Sequence, residues 1–302
     1  MEILREIVQT DRPSAVALGF FDGVHTAHAK VISAAVGHEN TVPTVLTFAS
    51  DTNLPVSKVG YKLLQTEAQK AKCIEKLGAE RLITLPFESV ADLSPECFFN
   101  DILVAKLGAK VISCGYDYRF GKGAAGDVTL LKTLCEKAGI TLLVTPQQTD
   151  HDTVISSTAI RQAVLDGDIP RANEMLGYRY TLEGEVVHGH HLGNTLGFPT
   201  LNQMMPLGLL MPKFGVYASI THIGGKSYPS ITNIGIKPTI EGERAPLAET
   251  HMLGASGDFY GMNAEVELLH MIRPEKRFAS LAELKQAVLQ DIARREYELL
   301  QQ

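Results

Sequence analysis

Gly19-Phe20-Phe21-Asp22-Gly23-Val24-His25-Thr26-Ala27-His28 joins an apolar run, Ala15-Val16-Ala17-Leu18, to a helix-compatible run over residues 29–36. The pattern predicts a strand, a tight glycine-bearing turn, and a helix whose first turn carries two histidines three residues apart. A helix N-terminus presents unpaired N–H groups and partial positive charge, so it attracts anions. Imidazoles placed there suit phosphate oxygens and developing charge. On these residues alone a second reading stands beside the first: an ordinary βα turn with exposed histidines.

Outward from that stretch, the first half alternates strand-like and helix-like segments. Apolar runs occur at residues 42–48, 82–85, 110–114 and 140–145, with helical patterns at 66–77, 95–106 and 128–138. Ser94 before Pro95 reads as an N-cap with proline at the first helical position. This alternation predicts a parallel sheet covered on both faces, with ligands beyond the carboxyl ends of its strands. The texture changes near residue 180. Segments 215–223, 227–234 and 264–268 alternate or carry β-rich residues between glycine turns, which predicts a small antiparallel barrel. A final helix starts at Ser280, capped with Glu283, and its Leu281, Leu284, Val288 and Ile292 form a stripe expected to dock on the barrel. Two domains follow, residues 1–179 and 180–302.

Composition narrows the function classes. The chain has 302 residues, 45% hydrophobic and 21% charged, as folded proteins do, and a formal net charge of −6 that disfavours non-specific nucleic-acid binding. No apolar run approaches the roughly 18 residues of a membrane span, and Met1-Glu2-Ile3-Leu4-Arg5-Glu6 has no signal-peptide character. Cys73, Cys97, Cys114 and Cys135 form no CxxC pair, so they read as reduced, buried thiols of a cytoplasmic protein. His188-Gly189-His190-His191 reads as a solvated loop, because no cysteine or carboxylate nearby completes a zinc set.

Further segments carry chemistry. The stretch from Gly115 to Asp127, GYDYRFGKGAAGD, follows a strand and combines aromatics for stacking with glycines that admit a charged ligand to the backbone. It lacks P-loop spacing, and on its own residues it reads as an ordinary long loop before it reads as a site. Ile155-Ser156-Ser157-Thr158-Ala159-Ile160-Arg161 opens a helix. Its hydroxyls read as caps, while Arg161, one turn in, suits the same anion as the N–H groups.

The ordered set of GFFDGVHTAH, GYDYRFGKGAAGD and ISSTAIR resembles the adenylyltransferase module of bacterial riboflavin kinase/FAD synthetases, itself similar to the HxGH nucleotidyltransferases. Gly193-Asn194-Thr195-Leu196-Gly197-Phe198-Pro199-Thr200-Leu201-Asn202, NIGIKPT from Asn233, Glu249-Thr250-His251-Met252-Leu253 and RPEKRF from Arg273 resemble the flavokinase domain of the same family. The resemblance implies a Rossmann-like α/β nucleotidyltransferase domain, then a β-barrel flavokinase domain with a C-terminal helix. The second domain would phosphorylate riboflavin with ATP to FMN; the first would adenylylate FMN with ATP to FAD and pyrophosphate.

The roles implied by the resemblance are specific. Glu249 is the kinase base, Thr200 and Asn202 hold nucleotide-bound Mg²⁺, and Gly189, Gly193, Thr195 and Gly197 close over ATP. Arg273 joins Glu249 in holding riboflavin. In the first domain His28 and Arg161 contact phosphates, with Gly19, Phe20, Phe21, Asp22, Gly23, His25, Ser156, Ser157 and Thr158 around ATP. Asp117, Tyr118 and Phe120 hold the flavin. The implied partners are riboflavin, FMN and ATP, with neither nucleic acid nor membrane, and the chain is expected as a monomer or weak homo-oligomer.

Several positions depart from the family pattern. Ala27 replaces the HxGH glycine, Phe20 an asparagine, Ala159 an arginine, Asn194 an arginine and Leu201 an alanine; the segment 49–53 lacks a usual histidine. The departures are heavier in the first domain. A riboflavin kinase with a degenerate first module, or a non-catalytic flavin- or nucleotide-binding regulator, are therefore the alternatives.

Overall fold

The computed structural model describes residues 1–50, 62–188, 197–206, 208–238 and 244–301. The chain forms two compact units, Met1–Ser157 and Thr158–Gln302.

The first unit is a six-stranded parallel sheet with helices on both faces. Its strands are β1 (Glu2–Leu4), β2 (Ser14–Leu18), β3 (Val42–Phe48), β4 (Arg81–Leu85), β5 (Ala109–Gly115) and β6 (Thr141–Thr145), in the order β1-β4-β3-β2-β5-β6. Every residue of β2 is buried, as a central strand covered on both sides requires. Its pleat divides the core. Ala15 and Ala17 face α1 (Thr26–Ser33) and α2 (Glu67–Lys76). Val16 and Leu18 face the π-helical stretch Phe98–Lys106, which continues α3 (Pro95–Cys97), and α4 (Val128–Ala138). The expected cap holds: Ser94 Oγ accepts the Cys97 N–H at 3.1 Å. Strand order reverses between β2 and β5, which are parallel neighbours. The loops leaving those two strands, residues 19–25 and 116–127, therefore flank the switch point where ligands of such sheets bind. Cys114 and Cys135 are buried, their thiols pushed up to about 12 and about 11 by burial. Cys97 is exposed and Cys73 half-buried, so burial does not extend to all four thiols.

A short antiparallel pair, β7 (Thr149–Asp150) and β8 (Thr153–Val154), precedes α5 (Ser157–Asp166), whose residues from Thr158 on belong with α6 (Ile169–Leu176) to the second unit. The boundary read from texture lies near 180, where strands begin; the compact units part earlier because these helices pack with the barrel. The Val164 carbonyl accepts the Lys213 N–H at 3.1 Å, and the Asn173 amide donates to Leu268 O at 3.0 Å. The barrel itself closes in the order β10-β13-β12-β11-β14-β9. Those strands are β9 (Thr181–Val187), β10 (Leu201–Met204), β11 (Gly215–Ile223), β12 (Lys226–Pro238), β13 (Arg244–Met252) and β14 (Asn263–Pro274). Its lumen mixes apolar side chains with a chain of buried hydroxyls, Thr250–Thr232–Ser219–Ser230–Thr221, each link 2.8–2.9 Å.

β11 and β14 approach closely at Gly215, where an added Cβ would lie 2.5 Å from the Arg273 carbonyl oxygen. Backbone cannot yield as a side-chain tip does. Gly215→Ala is expected to destabilise the barrel by about 3 kcal/mol, read from chemical unfolding; an unshifted midpoint would contradict this packing.

The C-terminal helix, α7 (Leu281–Leu300), starts as expected, with Ser280 accepting the Glu283 N–H at 3.2 Å. Its docking differs from the expected apolar stripe. Leu281 is 56% exposed, and the residues buried are Asp291 and Arg295. The barrel face beneath is polar: Arg295 donates to Ser219 O at 3.4 Å and His270 bonds Glu298 at 3.0 Å. Leu284 and Val288 instead line a cavity.

Candidate active sites

In the first unit, the turn after β2 bends the chain through three positive-φ residues, Phe21 (52°), Gly23 (84°) and Val24 (25°). Such geometry at non-glycine residues is costly and persists only where surroundings fix it. Asp22 supplies the fixing: it is 1% exposed, its Oδ1 accepts the Leu64 N–H at 2.9 Å, and its carbonyl accepts the Ser157 hydroxyl at 2.8 Å. The hydroxyl predicted as a cap thus ties the SST segment to the turn. Thr47 donates to Phe20 O at 2.8 Å, and Gly19 leaves room for the Phe21 ring, which a Cβ there would meet at 2.7 Å.

The histidines are not an exposed pair. His25 is 3% exposed and caps α1, its Nδ1 accepting the His28 N–H at 3.3 Å. The neutral ring therefore carries its proton on Nε2. His28, half-buried, stacks on His25 with centroids 3.6 Å apart and meets Phe21 edge-on at 5.3 Å. Burial lowers the His25 pKa from 6.5 to about 4. Between those values the unfolded chain binds the proton and the folded chain does not, so stability rises with pH from 4 to 6.5. Burying this histidine therefore imposes a penalty that is absent at pH 7 and grows to on the order of 3 kcal/mol as pH falls toward 4. His25→Asn is expected to flatten the pH dependence of urea unfolding of the full chain across that window; an unchanged slope would contradict the assignment.

The loop after β5 is mixed. Asp117 is exposed and Tyr118 half-buried, stacked on Phe120 at 5.8 Å. Phe120 is 5% exposed and packs on Phe98 at 6.0 Å, so its ring serves the core instead of a flavin face. Phe20 is half-buried under the Lys70 ammonium, 5.3 Å from its ring centroid. Arg161 is 7% exposed on α5; Ser156 and Thr158 lie at the same helix start.

In the second unit, the strand register assembles what sequence distance hides. Asn202 pairs with Glu249, Glu249 with Asn233, Asn233 with Val216, and Val216 with Arg273. One transverse row on the outer barrel face thus runs over β10, β13, β12, β11 and β14. Asn233 donates to Glu249 Oε2 at 3.4 Å, a contact that holds the carboxylate toward β12. A cavity of about 300 Å³ lies over this row, holding Thr200, Glu249, Asn233 and Arg273 between apolar walls that include Ile231, Phe278, Leu284 and Val288.

A second cavity, about 290 Å³, is lined by Thr200 together with Pro199, Leu201, Thr250, Phe259 and Tyr260. Thr200 belongs to both. His251 Nδ1 lies 2.9 Å from Pro199 O and anchors this segment. Asn202 is 7% exposed and lines neither cavity; its Nδ2 turns to Thr200 O at 3.5 Å. Gly197 is exposed, and Gly189, Gly193, Thr195 and Asn194 lie outside the described residues. Sequence reasoning quoted Asn233 and Phe198 only within motifs and missed Asp291, whose place arises from helix packing.

Two family models match the chain: FAD synthetase over residues 7–159 and riboflavin kinase over 176–298. Bifunctional riboflavin kinase/FMN adenylyltransferases match across both units. That of Listeria monocytogenes is 34% identical, covering 89% of this chain and 87% of its own, and that of Escherichia coli K12 is 34% identical, covering 91% and 90%. The chain belongs to the riboflavin kinase/FAD synthetase family. A solved structure from Streptococcus pneumoniae, described as a macrolide-efflux protein, matches with TM-score 0.86 and 28% identity over 97% of this chain and 98% of that one. That description stays with that protein: among the described residues here, no helix is long and apolar enough to cross a membrane.

Proposed function

We infer that this chain makes flavin cofactors in two steps, phosphorylating riboflavin to FMN and adenylylating FMN to FAD. Both family models match in order, which leaves the single-activity and non-catalytic readings unfavoured. The observation that carries the kinase step is Thr200 at the meeting of two cavities, one of which exposes Glu249. Riboflavin occupies the cavity with Glu249, its ring between the apolar walls; ATP occupies the other, its phosphates toward Thr200. Glu249 takes the proton of the ribityl 5′-hydroxyl as that oxygen attacks the γ-phosphorus, and ADP leaves. Asn233 orients the carboxylate.

The hydroxyl of Thr200 and the amide oxygen of Asn202 are hard, neutral donors beside a carboxylate, a set that fits Mg²⁺. The Asn202 amide nitrogen faces Thr200 O, which leaves its oxygen as the end suited to a cation. Bound there with ATP, Mg²⁺ would neutralise phosphate charge during transfer.

In the first unit the FMN phosphate is itself the nucleophile, so the residues align and stabilise charge at the α-phosphate. His28 holds phosphate oxygens, aided by the α1 N-terminus and neutral His25. Arg161, on α5 of the second unit, is assigned a phosphate role by the ISSTxxR match alone. Asp117 and Tyr118 face the flavin; Phe120 supports them from the core.

FMN, ATP and Mg²⁺ supplied without riboflavin test this module on its own. FAD and pyrophosphate are expected in equal amounts; neither product would leave a kinase alone.

A further inference from the structure

The geometry points to Asp291 of α7 as a positioning residue for flavin binding, because it holds the Arg273 guanidinium along the cavity that exposes Glu249. This rests on the reading of that cavity as the riboflavin site. Arg273 Nε lies 3.1 and 3.0 Å from the two Asp291 carboxylate oxygens, and Nη2 lies 2.9 Å from Oδ2. Asp291 is 5% exposed, so solvent does not compete for those oxygens. The Phe278 ring lies 5.5 Å from the guanidinium carbon and covers a face of the group. One edge and one face of Arg273 are thereby fixed. Nη1 donates to Pro274 O at 3.4 Å, a long contact, so N–H groups of Nη1 and Nη2 remain to meet acceptors on a ligand.

The register says which end of the ligand they meet. Arg273 stands three ladder steps from Glu249, through Val216 and Asn233, or roughly 14 Å along the sheet at ~4.8 Å per step. A riboflavin with its terminal hydroxyl at Glu249 therefore places its ring, with its carbonyl and nitrogen acceptors, toward Arg273. Fixing that arginine favours ring binding and leaves phosphoryl transfer to Glu249. The loss should fall on riboflavin KM and spare kcat.

Steady-state kinetics of the full chain with riboflavin and Mg²⁺-ATP test this. Asp291→Asn is expected to raise riboflavin KM about ten-fold while kcat changes less than about three-fold and the KM for ATP stays. Asp291→Glu should recover part of the loss. Asp291→Asn combined with Arg273→Ala should be no worse than Arg273→Ala alone, since one contact is removed twice. FAD formation from FMN checks that each variant is intact. A lowered melting temperature with unchanged riboflavin KM, or additive losses in the double variant, would overturn the proposal and reduce Asp291 to a docking contact. If Arg273→Ala and Glu249→Gln both left riboflavin kinetics unchanged, the reading of the cavity itself would fall.

Discussion

Glu249→Gln is expected to abolish riboflavin phosphorylation while the same protein continues to convert FMN to FAD. Glutamine keeps the shape of the side chain and its contact with the Asn233 amide, which lies 3.4 Å from Glu249 Oε2. It cannot take a proton. Loss of a positioned general base costs roughly 10²–10⁴ in rate, about 3–5 kcal/mol of barrier. Riboflavin KM should move little, because the apolar walls and Arg273 remain. The check is FMN formation from riboflavin beside FAD formation from supplied FMN. FMN formation within ten-fold of the unaltered rate would remove Glu249 as the base.

His28→Ala is expected to give the opposite pattern, cutting adenylyl transfer about 10²–10³-fold, as loss of one preorganised charge-stabilising donor does. The His28 ring is held on two sides, by His25 at 3.6 Å and the Phe21 edge at 5.3 Å. It therefore needs little reorganisation when charge develops on the phosphate. The α1 cap survives the change because His25 accepts from the backbone N–H of residue 28, not from its side chain. A large activity loss with an unshifted unfolding midpoint would thus report chemistry. Unaltered pyrophosphate release would assign phosphate stabilisation to other groups.

Much of this was legible because local rules act over short spans. The strand–turn–helix from Ala15 to Ser33, the Ser94 and Ser280 caps, and the strands Val42–Phe48 and Gly215–Ile223 follow from periodicity and capping chemistry. The row Asn202–Glu249–Asn233–Val216–Arg273 was not legible, since register between strands far apart in the chain carries no local signature. The same holds for Asp291. Its neighbours Leu284 and Val288 advertise an apolar face, yet the barrel surface under that turn is polar and takes a carboxylate. Phe120 misled for the converse reason: an aromatic in a glycine-rich loop resembles a ligand platform until its packing on Phe98 is known.

The departures from the family pattern also take physical form. Phe20 is covered by the buried Lys70 ammonium, so that position is packed and charged from behind. Ala27 is half-buried at the second position of α1, beside the stacked histidines. Both lie in the stretch 19–28 that joins β2 to α1, and the adenylyl-transfer step is where they are expected to bear on activity.

The most direct measurement is a time course of the purified chain with riboflavin, ATP and Mg²⁺, following flavins, ADP and pyrophosphate together. FMN with matching ADP should form first, then FAD with matching pyrophosphate. FMN that accumulates without FAD, or riboflavin that stays unphosphorylated, would contradict a two-step flavin synthesis in this chain.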